Sequence, residues 1–106
     1  MAGPSRLERI KAMLAEEPGD PELHYMLAME HASAGDDAAA ARCFDDLLRL
    51  KPDHAPAYHQ GARTLQRLDR LDEARDLLRR GIPAALAKND THAADEMQQL
   101  LEMLEH

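Results

Sequence analysis

The amino-acid sequence predicts an all-α protein: about six short helices, joined by tight turns into a stack of antiparallel hairpins. Three observations carry that expectation. Ala and Leu together make up roughly a third of the 106 residues, whereas Val and Trp are absent and the β-branched residues are confined to Ile10, Ile82, Thr64 and Thr91. Ala and Leu lose little freedom in a helix, while sheets favour β-branched and aromatic side chains. Helix start and stop signals recur along the whole chain, and no stretch reads as a flexible linker. With only Tyr25, Phe44 and Tyr58 as aromatics, small side chains have to fill the core, so the helices are expected to lie close together.

Each helix carries its own punctuation. Ser5 followed by Glu8 forms a capping box, Leu7, Ile10 and Leu14 share one face, and Pro18-Gly19 closes the segment. Asp20-Pro21-Glu22 opens a second helix, with Asp as N-cap and Pro at the first helical position. Leu23, Met26, Leu27 and Met29 run on toward Ala34, and Gly35 supplies a left-handed stop. Asp36 or Asp37 caps a third helix that carries Ala40, Phe44, Leu47, Leu48 and Leu50 and ends at Pro52. A fourth begins near Pro56, carries Tyr58, Ala62, Leu65 and Leu68, and stops around Asp69-Arg70. The fifth begins near Asp72 with Ala74, Leu77, Leu78 and Ile82, and Pro83 within its pattern either kinks or breaks it. Asn89-Asp90-Thr91 is a turn with a ready N-cap, and Ala93, Ala94, Met97, Leu100, Leu101 and Leu104 form the stripe of a sixth helix.

Length and charge exclude several classes. A chain of 106 residues fits one domain, and no apolar stretch approaches the roughly 18–20 residues that span a bilayer. Met1-Ala-Gly-Pro-Ser-Arg-Leu-Glu-Arg lacks the apolar run of a signal peptide. The lone Cys43 excludes an internal disulfide framework and a multi-cysteine zinc site. A cytoplasmic protein is the expectation. The net charge of −7 argues against nucleic acid as a partner. That total hides a pattern: residues 1–54 hold 6 basic and 11 acidic side chains, residues 55–88 hold 7 and 4, and residues 89–106 hold 0 and 5. A basic middle segment therefore stands between acidic flanks.

Sliding residues 21–54 onto 55–88 aligns His24 with Tyr58, Tyr25 with His59, Ala28 with Ala62, Gly35 with Asp69, Ala40 with Ala74, Phe44 with Leu78 and Leu48 with Ile82. The period is about 34 residues. Leu27-Ala28, His31, Gly35-Asp36, Ala40, Phe44 and Pro52 in the first copy, with Tyr58, Ala62, Leu65 and Ala74 in the second, resemble the tetratricopeptide repeat family, in its small stand-alone bacterial form. The resemblance implies a right-handed α-solenoid spanning residues 1–106: a lone B helix at 5–17, repeats at 21–54 and 55–88, and a capping helix at 91–105. Three departures stand out. His24 replaces the usual Trp, Asp69 replaces the turn Gly, and Leu86 stands where the second terminal Pro belongs, which implies a long, bent fifth helix.

The resemblance implies a non-catalytic module that binds a peptide or partner helix in a concave groove. Groove-facing positions would be Glu22, Tyr25, Met29, Ala32 and Ser33, then His59, Arg63, Gln66 and Arg67. Among these Tyr25, Met29, His59, Arg63, Gln66 and Arg67 are the candidate binding residues: Met and Tyr offer an adaptable apolar contact, and Arg grips a carboxylate with two bonds. A protein partner with acidic groups fits them. Family members that hold chaperone tails use a Lys and an Asn where Tyr25 and Met29 stand, so that clamp is not expected.

Two alternatives stay open. The lone first helix leaves Leu7, Ile10 or Met13 partly uncovered, which suits a homodimer through end helices. Less well supported is a metal site through His24, His31 and His59, because zinc on one helix calls for His at i and i+4; a structural role for His24 and His31 is expected, with no metal and no cofactor. His54 and His92 are expected at exposed turns or helix starts. His106 ends a Leu-Glu-His tail of the kind an expression tag leaves. Adjacent acids such as Asp36-Asp37 and Asp45-Asp46 read as caps or solvated faces, Cys43 as a small partly buried hydrophobe, and no enzyme motif appears.

Overall fold

The computed structural model describes residues 3–105; Met1, Ala2 and His106, with the readings attached to those two termini, lie outside them. The described residues form six helices and no strand: α1 (Arg6–Glu16), α2 (Pro21–Ser33), α3 (Asp37–Leu50), α4 (Ala55–Arg67), α5 (Leu71–Ala87) and α6 (Thr91–Leu104). Each helix packs on the next in the chain, and α6 also touches α4. The stack is elongated, 49 × 28 × 20 Å.

Two kinds of connector join the helices. In the first, the chain leaves the helix through a left-handed residue: Gly35 at φ 82°, Asp69 at 58° and Asn89 at 60°. The amide after each reaches back five residues, from Asp36 to the His31 carbonyl, Arg70 to Leu65 and Asp90 to Ala85. Those bonds satisfy carbonyls that a helix end would otherwise leave bare. In the second kind, before Pro18 and Pro52, the helix ends on a residue of negative φ, −131° at Glu17 and −139° at Lys51, and the bonds Glu17 to Met13 and Asp20 to Glu17 recur 34 residues later as Lys51 to Leu47 and His54 to Lys51.

The second connector explains why His24 can stand where Trp is usual. His24 Nε2 lies 2.7 Å from the Pro18 carbonyl, and the Tyr58 hydroxyl donates to the Pro52 carbonyl at 2.7 Å. Both side chains reach back six residues to close the turn. The third position in this series, His92, has no Pro to meet, since Leu86 lies inside α5. It pairs instead with Glu96 on its own helix.

Most caps match expectation. Ser5, Asp20, Asp36 and Asp90 each accept an amide of the first turn, so Asp36 rather than Asp37 caps α3. Arg70 offers α5 no side-chain cap. α5 continues for 17 residues through Pro83 without a break, longer than the 14 of α3. Pro83 and Arg79 are both exposed, so the carbonyl that loses its i+4 donor can be hydrated.

Small residues let the helices approach. Ala28, Ala40, Ala57, Ala62, Ala74 and Ala85 sit buried beside Phe44, Leu47, Leu78 and Met97. Gly81 of α5 meets Tyr58 of α4 and Met97 of α6 so closely that an added Cβ would stand 2.5 Å from the Tyr58 Cβ. On α1, Ile10 is buried, Leu7 is half-buried and Met13 is exposed. The uncovered apolar edge of the first helix thus centres on Met13.

Candidate partner-binding groove

Steps of four and three place His59, Arg63 and Gln66 on one face of α4. That face meets Glu96, Gln99, Leu100 and Met103 of α6 across a shallow depression of about 380 Å³. The His59 side chain is only 17% exposed, and its Nδ1 lies 3.7 Å from Glu96 Oε2, while the other Glu96 oxygen is held by His92 Nε2. Burial pushes the His59 imidazole below its ordinary value, Glu96 pulls it partway back, and Arg63 pushes it down again. Arg63 is exposed and has no ion-pair partner among the described residues. The groove therefore combines a buried imidazole, an uncommitted guanidinium, two amides and an apolar end at Leu100 and Met103.

Tyr25 and Met29 belong to the same register, 34 positions before His59 and Arg63, but they lie outside this depression and pack against the core. The Tyr25 ring stands edge-on to Phe44 at 6.1 Å and lies 5.2 Å from the His54 ring. Burial, with the nearby Glu22 carboxylate, raises its phenol. Ala32 is half-buried against the same core and Ser33 is exposed. Arg67 turns away from the groove: its Nε donates to Asp37 Oδ1 at 3.0 Å and Nη2 to Thr64 Oγ1 at 3.2 Å. That pair ties α4 to the start of α3.

His54 corrects the sequence expectation of an exposed turn. It is 6% exposed and is the N-cap of α4. Its Nδ1 accepts the Ala57 amide at 3.2 Å, which leaves Nε2 as the protonated nitrogen facing Glu22 Oε1 at 3.2 Å. Of the residues expected along the groove, Glu22 is thus committed to joining the two repeats. His92 is exposed as expected, its side chain at 85%.

The histidines do not gather. His24 is held at the Pro18 carbonyl and His59 at Glu96, and no group of three or more His, Cys, Asp or Glu among the described residues is placed to hold a metal ion. His24 and His31 are half-buried rather than core residues. Cys43 is half-buried on α3, and burial together with Asp46 raises its thiol. No helix among the described residues is long and apolar enough to cross a membrane.

The α6 wall of the groove was not foreseen from the sequence. The signal was present: Glu96, Gln99, Leu100 and Met103 recur at helical spacing beside the buried stripe of Ala94, Met97 and Leu101. The stripe does not by itself single out a binding wall, because a closing helix is expected to shield the stack rather than to line its face.

A family model for the tetratricopeptide repeat matches residues 7–61. The solution structure of a tetratricopeptide repeat domain protein from Salinibacter ruber is 31% identical, with 83% of this chain and 89% of that one covered and a TM-score of 0.78. A crystal structure of a tetratricopeptide repeat domain protein from the same organism gives 30% identity, 81% and 97% coverage and a TM-score of 0.77. A protein from Bordetella parapertussis, solved in solution, is 26% identical over 97% of this chain and 90% of its own, with a TM-score of 0.82. No curated protein sequence matches the chain.

Proposed function

The chain belongs to the tetratricopeptide repeat family, and from that premise we propose that it holds an extended peptide or a partner helix on the face formed by α2, α4 and α6. The family generally mediates protein–protein interaction and is generally non-catalytic. Arg63 carries the finer reading. It is exposed on a groove wall, between a largely buried imidazole and an amide, and no carboxylate of the described residues pairs with it. A guanidinium so placed favours a partner that brings its own carboxylate, with Leu100 and Met103 taking an apolar neighbour. Tyr25 and Met29 extend the surface along α2, whereas Arg67, held by Asp37, stands outside it. The cytoplasmic setting expected from the sequence is part of the same proposal.

The test uses peptides selected from a random display library on the wild-type protein and then synthesised. Acidic sequences are expected, and Arg63→Glu should weaken them by at least about tenfold, or about 1.4 kcal/mol, with helicity and melting unchanged. Arg67→Glu should cost some stability through the lost Asp37 contact while leaving binding close to that of the wild type. Undiminished binding by the Arg63→Glu, Arg67→Glu double variant would remove the groove from consideration. A second reading, self-association through the end helices, rests on Met13 and Met103, 42% and 69% exposed on α1 and α6. Light scattering from a monomer at high micromolar concentration excludes it.

A further inference from the structure

One carboxylate in the α4–α6 groove is shared by two imidazoles from different helices. Glu96 of α6 has one oxygen 3.7 Å from Nδ1 of His59 on α4, and its other oxygen is held by Nε2 of His92, one turn back on its own helix. His59 lines the groove and is largely buried; His92 is exposed and lies outside the lining. One turn along α4 from His59 stands Arg63, which has no ion-pair partner among the described residues.

The charged groups of the neighbouring helices are engaged elsewhere. α5, also packed on α4, turns Arg80 to the Tyr58 ring and to Asp76. α3 commits Asp37 to Arg67, and α2 commits Glu22 to His54. The charges that act on His59 are Glu96, which favours the protonated ring, and Arg63, which opposes it. With His59 neutral, as its burial favours, Arg63 and Glu96 cancel across the groove. A proton on His59 leaves the groove net positive.

We propose, on the strength of the groove reading above, that the groove takes up a proton together with an acidic partner, with His59 as the group that receives it, so that capture of a carboxylate tightens as the pH falls. A partner carboxylate on Arg63 does two things to His59. It offsets the guanidinium that opposes protonation, and it brings a negative charge to within about one helical turn of the ring. Further burial by the partner works the other way. His59 is only 17% exposed, however, and has little hydration left to lose, so the charge effect prevails. A ring that holds its proton more tightly with the partner in place requires that the partner bind more tightly to the protonated groove, by the same factor. Affinity therefore rises as the pH falls through the value His59 takes in the complex, and levels off below the lower value it has in the free protein.

The probe is the acetylated, amidated pentapeptide Ala-Leu-Glu-Leu-Ala, with Ala-Leu-Gln-Leu-Ala as its uncharged counterpart. Each is titrated into the ¹⁵N-labelled full chain at about pH 7.5 and about pH 5.8, where a glutamate is still ionised. Saturable shifts are expected at the amides of His59, Arg63 and Gln99. Affinity for the glutamate peptide should be at least about threefold higher at the lower pH, and affinity for the glutamine peptide the same at both. The titration midpoint of the His59 ring, followed by its Cε1 resonance in the wild-type protein, should move to higher pH with the glutamate peptide and not with the other. His59→Gln should remove the difference between the two pH values, whatever its affinity, and His92→Gln should keep it. Should His59→Gln fold poorly, the ring titration decides. Saturable binding of equal strength at both pH values, a midpoint that the glutamate peptide leaves in place, or a difference that survives His59→Gln overturns the proton coupling and leaves the groove reading standing. No saturable shift at millimolar peptide at either pH also overturns it, and the groove reading is then judged on the display-selected peptides.

Discussion

At Gly81 an added methyl would lie 2.5 Å from the Tyr58 Cβ and 2.7 Å from Met97 Sδ, whereas at Gly61 the nearest atom, at 3.0 Å, is the tip of Leu77. Tyr58 cannot yield easily, since its hydroxyl is held by the Pro52 carbonyl and the Arg80 guanidinium stands 5.4 Å over its ring. Gly81→Ala is therefore expected to cost about 1–3 kcal/mol despite the better helix propensity of alanine. Gly61→Ala, where the contact can shift, should fall between neutral and about 1 kcal/mol stabilising. Urea denaturation reads both, and equal midpoints for the two variants would show that close approach to Tyr58 is not what holds Gly81. Neither role was legible in the sequence, where a mid-helix glycine is only a weak spot; the atoms that explain it come from residues 23 positions away on another helix. His54 escaped for the same reason. Its place at a helix start was readable, but its burial depends on Glu22 and Tyr25, one repeat earlier.

The helices themselves were largely readable because each carries its stop and start locally: Pro18, Gly35 and Pro52 are visible punctuation, and Asp69 and Asn89 are residue types that tolerate positive φ. What local signals could not show is the kind of connector each would make. Leu86, in the place of a third terminal proline, marks the difference. Restoring the repeat pattern with Leu86→Pro should destabilise the protein by about 3 kcal/mol, because residue 86 lies inside α5, where a proline removes an intrahelical N–H donor and its ring crowds the carbonyl of Ile82. Thermal melting decides the matter: a variant as stable as the parent would mean that α5 need not continue past Pro83. The α5–α6 joint is further held by Arg75, which donates to the Leu104 carbonyl at 2.7 Å and to Asp72, and by Arg79 near Glu105 at 3.8 Å. Arg70, Arg75 and Arg80 pair instead with Glu73, Asp72 and Asp76 of α5, so the basic middle segment satisfies much of its charge locally.

As a whole the molecule is nearly one-dimensional, each helix held chiefly by its neighbours, and such a stack loses structure from its less anchored end. That end is α1. It packs on α2 and buries only Ile10, whereas α4 and α5 lie between other helices and bury most of the core. Amide hydrogen exchange should be at least about tenfold faster over residues 10–16 than in the middle of α4 and α5; uniform protection would show instead that the array unfolds as one unit. The groove also belongs to this scale. Its α4 wall could be read from the repeat, but its depth comes from α6, and Arg67 is withdrawn from it by an aspartate on α3 that no register assigns.

The turn at Asn89 has a further consequence. Residues 17–20 and 51–54 repeat the same backbone hydrogen bonds, so a copied 34-residue unit set in after His54 would meet matching turns on both sides. After Lys88 the splice is of the other type, and a unit added there would arrive rotated out of phase. The length of this array can be edited from within, but not by appending to α5.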